Sequence, residues 1–198
     1  MNKFITFEGG DGSGKTTLSK KLYEFFLFKE IDAIWTREIG GTEIAEKLRD
    51  MILTNKLLNN TELLLILAAR NEHIEKVIKP ALQNGKIVIC DRFVDSTAAY
   101  QSENEYDIKK IYYLHRVLFD NFFPDKTIFL KLEPQDGLKR VKKRGELDKF
   151  EKKDLTFHKK IAANYHFINN NFPERICEID ASERDDIVFE NILNALDL

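Results

Sequence analysis

The residues best suited to chemistry lie in a glycine-rich segment near the start of the chain. Residues 9–16 read GGDGSGKT and fit the pattern G-x-x-x-x-G-K-[ST]. Glycines allow a backbone to turn its N–H groups around an anion, and a helix that begins at the end of the segment adds positive potential. A lysine ammonium and a threonine hydroxyl then provide a phosphate contact and a magnesium ligand. This segment, which we call the phosphate loop, therefore predicts a site for nucleotide phosphates and Mg²⁺.

All eight residues of the phosphate loop are candidates for binding ATP. They are Gly9, Gly10, Asp11, Gly12, Ser13, Gly14, Lys15 and Thr16. A chance match in a flexible glycine turn is the alternative, and an apolar strand before the loop with a helix after it argues against that alternative. The glycines do not follow G-x-G-x-x-G, which disfavours a dinucleotide-binding fold.

A second candidate group follows the apolar segment 87–90. Asp91 ends this predicted strand, an arrangement that places a carboxylate near the metal of a phosphate loop. We therefore predict Thr16 and Asp91 as metal ligands, with a simple turn cap as the alternative for Asp91. Arg92 comes next, where motor ATPases commonly have a water-activating glutamate. Arginine cannot act as a base, but its guanidinium can hold a phosphate through two N–H groups.

Short apolar segments alternate with longer helical ones, and together they must position these residues. The short segments mostly lack the strict alternation of half-exposed strands, as expected for strands buried on both faces. This order predicts an α/β fold, with a five-stranded parallel sheet and helices on both of its faces. Strands are predicted over residues 4–7, 31–36, 87–90, 127–132 and 176–179, and helices over 16–29, 62–84, 108–123, 135–144, 155–170 and 185–196.

The composition and overall charge disfavour several classes of protein. A formal net charge of −2 gives no overall attraction to nucleic acid or to a membrane surface. No run reaches the roughly 18 apolar residues needed to cross a bilayer, and the N-terminus does not resemble a signal peptide. Cys90 and Cys177 lack metal-ligand spacing. We expect residues 1–198 to form a single cytoplasmic domain with neither nucleic-acid nor membrane partners.

Arginines suggest a second phosphate site beside the first. Arg37 and Arg92 both follow predicted strands, at the same sheet edge as the phosphate loop, where two guanidinium groups could bind an acceptor phosphate. A solvated surface cation is the alternative for each arginine. The Asn-Lys-x-Asp element expected of a GTPase is absent from the sequence. A kinase acting on a nucleoside monophosphate is therefore favoured.

The chain resembles the thymidylate kinase family from end to end. The matching segments are EGGDGSGKTT (8–17), TREIGGT (36–42), AAR (68–70), IKPAL (78–82), DRF (91–93), STAAYQ (96–101) and RGE (144–146). The resemblance implies a P-loop NTPase fold, a homodimer, and transfer of a phosphoryl group from ATP to dTMP with Mg²⁺, for dTTP synthesis. A kinase for another nucleoside monophosphate and a nucleotide-gated interaction protein are the alternatives.

The resemblance also implies roles for individual residues. Arg37, Arg49 and Arg92 would grip the dTMP phosphate, and Asp11 would hold the sugar 3′-hydroxyl or order the acceptor site. Arg70 would hydrogen-bond the thymine edge, and a tyrosine at position 100 would crowd a ribose 2′-hydroxyl. The expected dTMP-binding residues are Arg37, Arg49, Ile66, Arg70, Arg92, Ser96, Thr97, Tyr100 and Gln101.

Two positions depart from the family pattern. Ile39 stands where the family usually has proline, so the residue that favours a cis bond is missing and the local turn is expected to differ. Ile66 stands where many relatives have an aromatic residue that stacks on thymine. An isoleucine can cover the base, but the stacking contribution of about 1–3 kcal/mol is lost there.

Residues 139–153 are densely basic, and within this fold we expect them to form a small lid over ATP. A solvated helix face or a nucleic-acid patch is the alternative. Because phosphoryl transfer develops charge on the transferred oxygens, a lid arginine would lower the barrier. Arg144 is the first candidate, with Arg140, Lys142 and Lys149 behind it. The predicted catalytic residues are Lys15, Arg92, Arg144 and Asp11.

The predicted helix 62–84 contains the run LLLIL at residues 63–67, which is apolar on every side. Burial in the core alone could explain this run. A symmetric homodimer packed through apolar helices would also bury the second face, and this is the assembly we expect.

Overall fold

A central parallel sheet organises the structure, a computed structural model that describes residues 3–145 and 147–198. Its strands are β1 (Phe4–Glu8), β2 (Ala33–Arg37), β3 (Ile87–Asp91), β4 (Lys126–Lys131) and β5 (Ile176–Asp180). They lie in the order β2-β3-β1-β4-β5, and each neighbouring pair is parallel. The predicted five-stranded parallel sheet is confirmed, with strand ends close to the predicted ones.

Helices connect the strands. They are α1 (Lys15–Phe28), α2 (Glu43–Thr54), α3 (Asn59–His73), α4 (Lys79–Gln83), α5 (Val94–Tyr100), α6 (Glu105–Leu118), α7 (Pro134–Arg144), α8 (Leu155–Asn171) and α9 (Asp185–Ala195). Among the described residues, no helix has the length and apolarity required for crossing a membrane.

We did not predict α2 or α5 from the sequence. In α2 the residues Ala45, Leu48 and Ile52 recur at helical spacing, so a periodic signal was present, although only Ala45 and Ile52 are fully buried. The Thr42 side chain, which accepts the Ala45 N–H at 3.1 Å, is the clearest start signal. In α5 every residue from Val94 to Ala99 is buried. Because this short helix has no solvent-exposed face, its sequence shows no regular alternation between apolar and polar residues.

The helix predicted over residues 62–84 is interrupted and begins earlier. It starts at Asn59. The first N–H groups of a helix have no intrahelical partner, so polar residues are tolerated in its first turn and do not mark its beginning. A π-helical turn over Ile74–Ile78 separates α3 from α4. It precedes Pro80, which has no N–H to continue the ladder.

Alternating strand side chains enter two apolar cores. Phe4 and Val88 face one core, which is completed by α3, α5, α6 and α8. Ile5 and Ile89 face the other, which is completed by α1 and α9. The predicted placement of helices on both faces of the sheet is confirmed.

The carboxyl ends of the central strands bring the candidate residues to one edge. The phosphate loop follows β1, which lies between β3 and β4. In the sheet register Asp91 lies beside Phe7 on one side and Arg37 on the other. Open parallel sheets bind ligands outside this edge, where the strand order reverses.

Candidate active site

The phosphate loop turns tightly before α1 begins at Lys15. Gly12 and Gly14 have φ values of 77° and 93°, a region that residues with side chains rarely adopt. Lys15 Nζ donates to the carbonyl oxygen of Gly10 at 2.7 Å, so the ammonium lies across the loop. Burial, followed by repulsion from Arg92, lowers the pKa of Lys15 to about 8. A bound anion would favour the charged lysine again, which suits a phosphate site.

Thr16 and Asp91 meet as predicted. The Thr16 hydroxyl donates to Asp91 Oδ2 at 2.5 Å. Asp91 Oδ1 is buried and has no hydrogen-bond partner in the described part of the chain. No three His, Cys, Asp or Glu side chains cluster as a metal site among residues 3–145 and 147–198. The pair therefore fits an ion such as Mg²⁺, which takes oxygen ligands and keeps water or phosphate in its remaining positions.

Arg92 begins the loop after β3 and is held by several acceptors. Its Nη2 donates to Asp11 Oδ1 at 2.6 Å and to the Tyr100 hydroxyl at 3.3 Å. Its Nη1 donates to Ser96 Oγ at 3.1 Å. Burial raises the pKa of Asp11, but Arg92 and then Lys15 outweigh it and hold this pKa below its usual range. Asp11 is therefore ionised and fixes the guanidinium at the sheet edge.

Two adjoining cavities open at this edge. The first, which we call the Lys15 cavity, is lined by Lys15, Thr16, Arg37, Asp91, Arg140 and Arg144 among others. The second, the Arg70 cavity, contains all six residues expected to surround the nucleoside, namely Ile66, Arg70, Ser96, Thr97, Tyr100 and Gln101. Both cavities are lined by Asp11, Glu38, Arg49, Arg92 and Asp148. A ligand in one cavity would therefore face a ligand in the other.

Arg70 is buried, with 2% exposure, and still has a hydrogen-bond donor to offer. Its Nε donates to Glu38 Oε2 and its Nη2 donates to Thr97 Oγ1, both at 2.7 Å. Its Nη1 is buried and lacks a partner among the described residues. Because buried polar groups are normally hydrogen-bonded, this N–H points to a ligand with an acceptor atom.

The other two predicted phosphate arginines lie at different distances from the shared wall. Arg37 pairs with Glu46 at 2.8 Å and lines the Lys15 cavity but not the Arg70 cavity. Arg49 Nη1 donates to the carbonyl oxygen of Ile39 at 3.0 Å and lines both cavities. Arg49 therefore lies together with Arg92, whereas Arg37 lies toward the phosphate loop.

Three residues of the phosphate loop do not line the Lys15 cavity. Ser13 is 1% exposed, and a Cβ atom on Gly9 would lie 2.6 Å from the carbonyl oxygen of Leu130. Gly10 instead lines a third cavity, beside α8. Gly9 and Ser13 therefore fit tightly against the protein behind the loop, whereas a Cβ atom on Gly10 would meet no atom within 4 Å.

The turn after β2 contains a cis peptide bond between Glu38 and Ile39, although Ile39 is not a proline. Side-chain contacts hold the segment on both sides of this bond. Glu38 pairs with Arg70 and His73, and the Ile39 carbonyl accepts from Arg49.

The predicted lid residues separate into two groups. Arg144 is the last residue of α7, lines the Lys15 cavity and donates to Glu151 Oε1 at 2.5 Å. Arg140 lines the same cavity one turn earlier, whereas Lys142 does not. Glu146, which belongs to the matching segment 144–146, lies outside the described residues.

Lys149 binds elsewhere. Its ammonium donates to the carbonyl oxygens of Ile52 at 3.1 Å and Asn55 at 3.3 Å, and it pairs with the Glu62 carboxylate. The next residue, Phe150, lines the Arg70 cavity. Lys149 and Phe150 therefore lie against α2, α3 and the Arg70 cavity, while Asp148 and Glu151 on either side of them line the Lys15 cavity.

Three acids at the site were not identified from the motifs. Glu8 is buried at the end of β1, Glu38 pairs with Arg70, and Asp148 lies in the shared wall. Burial raises the pKa of Glu38, but Arg70 and His73 hold it below its usual range. Their position in the chain could have identified two of them, because Glu8 ends β1 and Glu38 directly follows β2 at the ligand-binding edge of the sheet.

Comparison with known proteins agrees with this geometry. Residues 7–192 match the family model described as thymidylate kinase. Thymidylate kinase from Orientia tsutsugamushi (strain Ikeda) is 49% identical over 202 residues, covering 99% of this chain and 93% of the relative. Thymidylate kinase from Rickettsia typhi is 48% identical over 183 residues, covering 92% and 90%. The crystal structure of thymidylate kinase from Ehrlichia chaffeensis has a TM-score of 0.78 and 34% identity, covering 98% of this chain and 97% of that one. The predicted P-loop NTPase fold is thus confirmed, and the chain belongs to the thymidylate kinase family.

Proposed function

We propose that this protein transfers the γ-phosphoryl group of ATP to dTMP, giving ADP and dTDP. The observation that carries the proposal is the shared wall of the Lys15 and Arg70 cavities, where Arg49 and Arg92 lie. An acceptor phosphate bound by these two arginines would face the γ-phosphate held by the phosphate loop. Membership of the thymidylate kinase family supports dTMP as the acceptor.

On the donor side, the phosphate loop and Lys15 bind the phosphates of ATP, and Thr16 and Asp91 hold Mg²⁺. The contact between the Thr16 hydroxyl and Asp91, together with the unpartnered Asp91 Oδ1, supports this assignment. Mg²⁺ neutralises charge on the phosphates when it is bound. Lys15 approaches the same phosphates from α1, where the N-terminal dipole adds to its charge.

On the acceptor side, Arg92 and Arg49 bind the dTMP phosphate, with Arg37 behind them. Arg70 donates its unpartnered Nη1 hydrogens to the thymine edge, and Ile66 covers the base. Tyr100 would lie beside the sugar, because its hydroxyl donates at 2.8 Å to Asp11, the residue expected to hold the sugar 3′-hydroxyl. The remaining wall is formed by Ser96, Thr97 and Gln101.

Arg144 supplies the catalytic lid cation in this proposal. Its side chain is 63% exposed, yet it lines the Lys15 cavity and is held there by Glu151. Release from Glu151 would let the guanidinium bind the transferred phosphoryl group, where negative charge increases in the transition state.

A single assay tests the proposed reaction. Purified protein is incubated with ATP and Mg²⁺ and with dTMP, dUMP, dCMP or AMP, and ADP release and the phosphorylated product are measured. We expect the highest kcat/KM with dTMP.

Lys15→Ala should abolish transfer, whereas Lys29→Ala, at the exposed end of α1, should not change it. Preferred transfer to another monophosphate would replace dTMP as the substrate, and ATP binding without transfer would favour an interaction protein.

The proposal includes a homodimer packed through helices. Leu64 on α3 is 65% exposed, and Tyr113 and Val117, four residues apart on α6, are 66% and 60% exposed. Burial of such side chains against a second copy would remove apolar surface from water. Light scattering after gel filtration should give the mass of a dimer, and Val117→Lys should shift it toward the monomer. A monomeric wild type would contradict the assembly.

The proposal also treats residues 1–198 as a single kinase domain located in the cytoplasm. Both apolar cores are built on the two faces of the same sheet, which supports one folding unit. Cys90 and Cys177 are unbonded, as is usual for a reducing compartment.

A further inference from the structure

Glu8 is a buried acid that contacts the residues around Arg92, and the motifs assign it no role. It ends β1 and is 1% exposed. Phe93 N–H donates to its Oε1 at 2.7 Å. The hydroxyls of Ser96 and Tyr165 donate to its Oε2 at 2.5 Å and 3.0 Å. The carboxylate therefore accepts hydrogen bonds from three residues on two segments of the chain, the start of α5 and α8.

The contact with Ser96 determines how that hydroxyl meets Arg92. A serine hydroxyl has one proton to donate and lone pairs with which it accepts. Because Ser96 donates its proton to Glu8, its lone pairs are left to accept from Arg92 Nη1, which lies at 3.1 Å. The Tyr165 hydroxyl lies 3.0 Å from both Glu8 Oε2 and Ser96 Oγ. Because it donates its proton to Glu8, it does not compete with Arg92 for the lone pairs of Ser96.

The contact with Phe93 acts on the backbone of the same arginine. Arg92 has φ 72°, an unfavourable region for a residue with a side chain unless its surroundings hold it there. The N–H that follows Arg92 is the one bound by Glu8. Glu8 therefore constrains Arg92 through the backbone on one side and through Ser96 on the other.

We propose that Glu8 is a positioning residue, which holds the Arg92 guanidinium in the orientation that binds the acceptor phosphate. The proposal rests on the proposed function, in which Arg92 contacts that phosphate. Glu8 itself does not line the Lys15 or Arg70 cavity. It acts through Ser96 and through the Phe93 N–H.

Stability alone does not account for an acid at this position. The three groups that hydrogen-bond Glu8 are neutral, and a buried carboxylate without a directly paired cation is costly. Burial, with repulsion from Asp95 second, raises the pKa of Glu8 to about 7. The protein therefore keeps an unfavourable buried acid where it contacts the residues around Arg92.

The decisive variant is Glu8→Gln, which keeps the size of the side chain. Its single oxygen can still accept the Phe93 N–H, but its NH₂ group then meets Ser96 Oγ and competes with Arg92. We expect KM for dTMP to rise by about tenfold and KM for ATP to change by less than about twofold. Ser96→Ala, which removes the intermediate hydroxyl, should give a similar selective rise. The double variant should resemble either single variant, because both changes break the same connection.

Asp95→Asn is the matched control, since it also changes a buried carboxylate to an amide. Asp95 hydrogen-bonds Tyr112, Thr127 and Arg175 and, among the described residues, shares no hydrogen bond with Glu8, Ser96 or Arg92, although its charge contributes to the raised pKa of Glu8. We expect it to lower the thermal unfolding temperature while KM for dTMP, measured per folded enzyme, stays within about twofold of wild type.

Three results would overturn the positioning role. They are unchanged dTMP kinetics in Glu8→Gln, equal losses for ATP and dTMP, and additive effects of the Glu8 and Ser96 substitutions. Arg92→Ala separates this proposal from the one on which it rests. If Arg92→Ala binds dTMP normally, the assigned role of Arg92 fails. If it binds dTMP poorly while Glu8→Gln binds it normally, only the positioning role fails.

Discussion

A Cβ atom on Gly137 would lie 2.2 Å from the carbonyl oxygen of Asp11, so α7 touches the phosphate loop backbone to backbone. The contact is reciprocal, since a Cβ atom on Gly12 would lie 2.2 Å from the carbonyl oxygen of Gly137. No side chain fits at either position. Because α7 ends at Arg144, the same helix that contacts the loop also carries the proposed lid cation.

Gly137→Ala should therefore impair ATP binding although it improves helix propensity. In an open helix alanine is favoured over glycine by about 1 kcal/mol. Here the added methyl must displace the backbone of Asp11, and we expect KM for ATP to rise by at least about fivefold. Gln135→Ala is the control, since Gln135 is exposed in the first turn of α7. Wild-type ATP kinetics for Gly137→Ala would show that the loop tolerates the shift.

Arg144→Ala should lower kcat by at least about tenfold and leave KM for dTMP nearly unchanged. The reason is that its guanidinium is proposed to bind charge that develops in the transition state, and it lies in the Lys15 cavity rather than the Arg70 cavity. Single-turnover kinetics would separate the chemical step from product release. Lys143→Ala, at an exposed neighbouring position, controls for loss of lid charge. An unchanged kcat in Arg144→Ala would contradict the role of Arg144 as the catalytic lid cation.

Lys149→Met should loosen the lid segment on the acceptor side. It leaves Glu62, whose side chain is 13% exposed, without its cation, and it frees Phe150 beside the Arg70 cavity. We expect faster amide exchange in residues 147–151 and a rise in KM for dTMP of about threefold or more. Adding Glu62→Gln should recover part of the loss, because it removes the unpaired charge.

Lys152→Met is the control for this experiment, because Lys152 is an exposed lysine of the same segment. Equal exchange rates in Lys149→Met and Lys152→Met would mean that the contacts of Lys149 with α2 and α3 do not hold the lid.

Local spacing made part of the site predictable. The motifs place a threonine after the loop lysine and an acid at the end of a strand, and from them we predicted that Thr16 and Asp91 share a site. In the structure the Thr16 hydroxyl lies 2.5 Å from Asp91 Oδ2. Lys149 was ranked among the lid cations by charge alone, yet it binds Glu62 and the carbonyl oxygens of Ile52 and Asn55 at the end of α2. The close approach of Gly137 to Asp11 joins segments far apart in the chain, and only a glycine inside a predicted helix hinted at it.

The element pattern was predictable for similar reasons. The strands are apolar runs bounded by polar residues, and α1, with Leu18 and Leu22 on its buried face, has a visible helical period. In α5 the buried face extends around the whole helix, and this removes the contrast on which periodicity depends. The contacts of Glu8 could not be predicted, because they depend on how α5 and α8 pack against the end of β1.

The last prediction concerns the pH dependence of stability at Glu8. Its pKa rises from an ordinary 4.5 to about 7 in the folded protein. Between these values the folded protein keeps a proton that the unfolded chain has lost, so the free energy of unfolding falls as pH rises. At 1.36 kcal/mol per pKa unit, the loss is about 3 kcal/mol and is complete above pH 7.

Glu8→Gln lacks this titration. The difference in unfolding free energy between Glu8→Gln and wild type should increase in favour of the variant by about 3 kcal/mol from about pH 4.5 to about pH 7.5. Urea unfolding at several pH values measures this difference. The ionisable groups around Glu8 are Lys15, Cys90, Arg92, Asp95, Tyr112, Tyr165 and Arg175.

His115 titrates in the same range with the opposite sign. Burial, followed by repulsion from Arg70, lowers its pKa to about 4, so stability is gained as pH rises toward the unfolded value of 6.5. Both proteins contain His115, and its contribution cancels in the difference. A flat difference would mean that Glu8 is not strongly perturbed. A rising difference, found together with weakened dTMP binding in Glu8→Gln, would mean that the acid is retained for the orientation of Arg92 at the expense of stability.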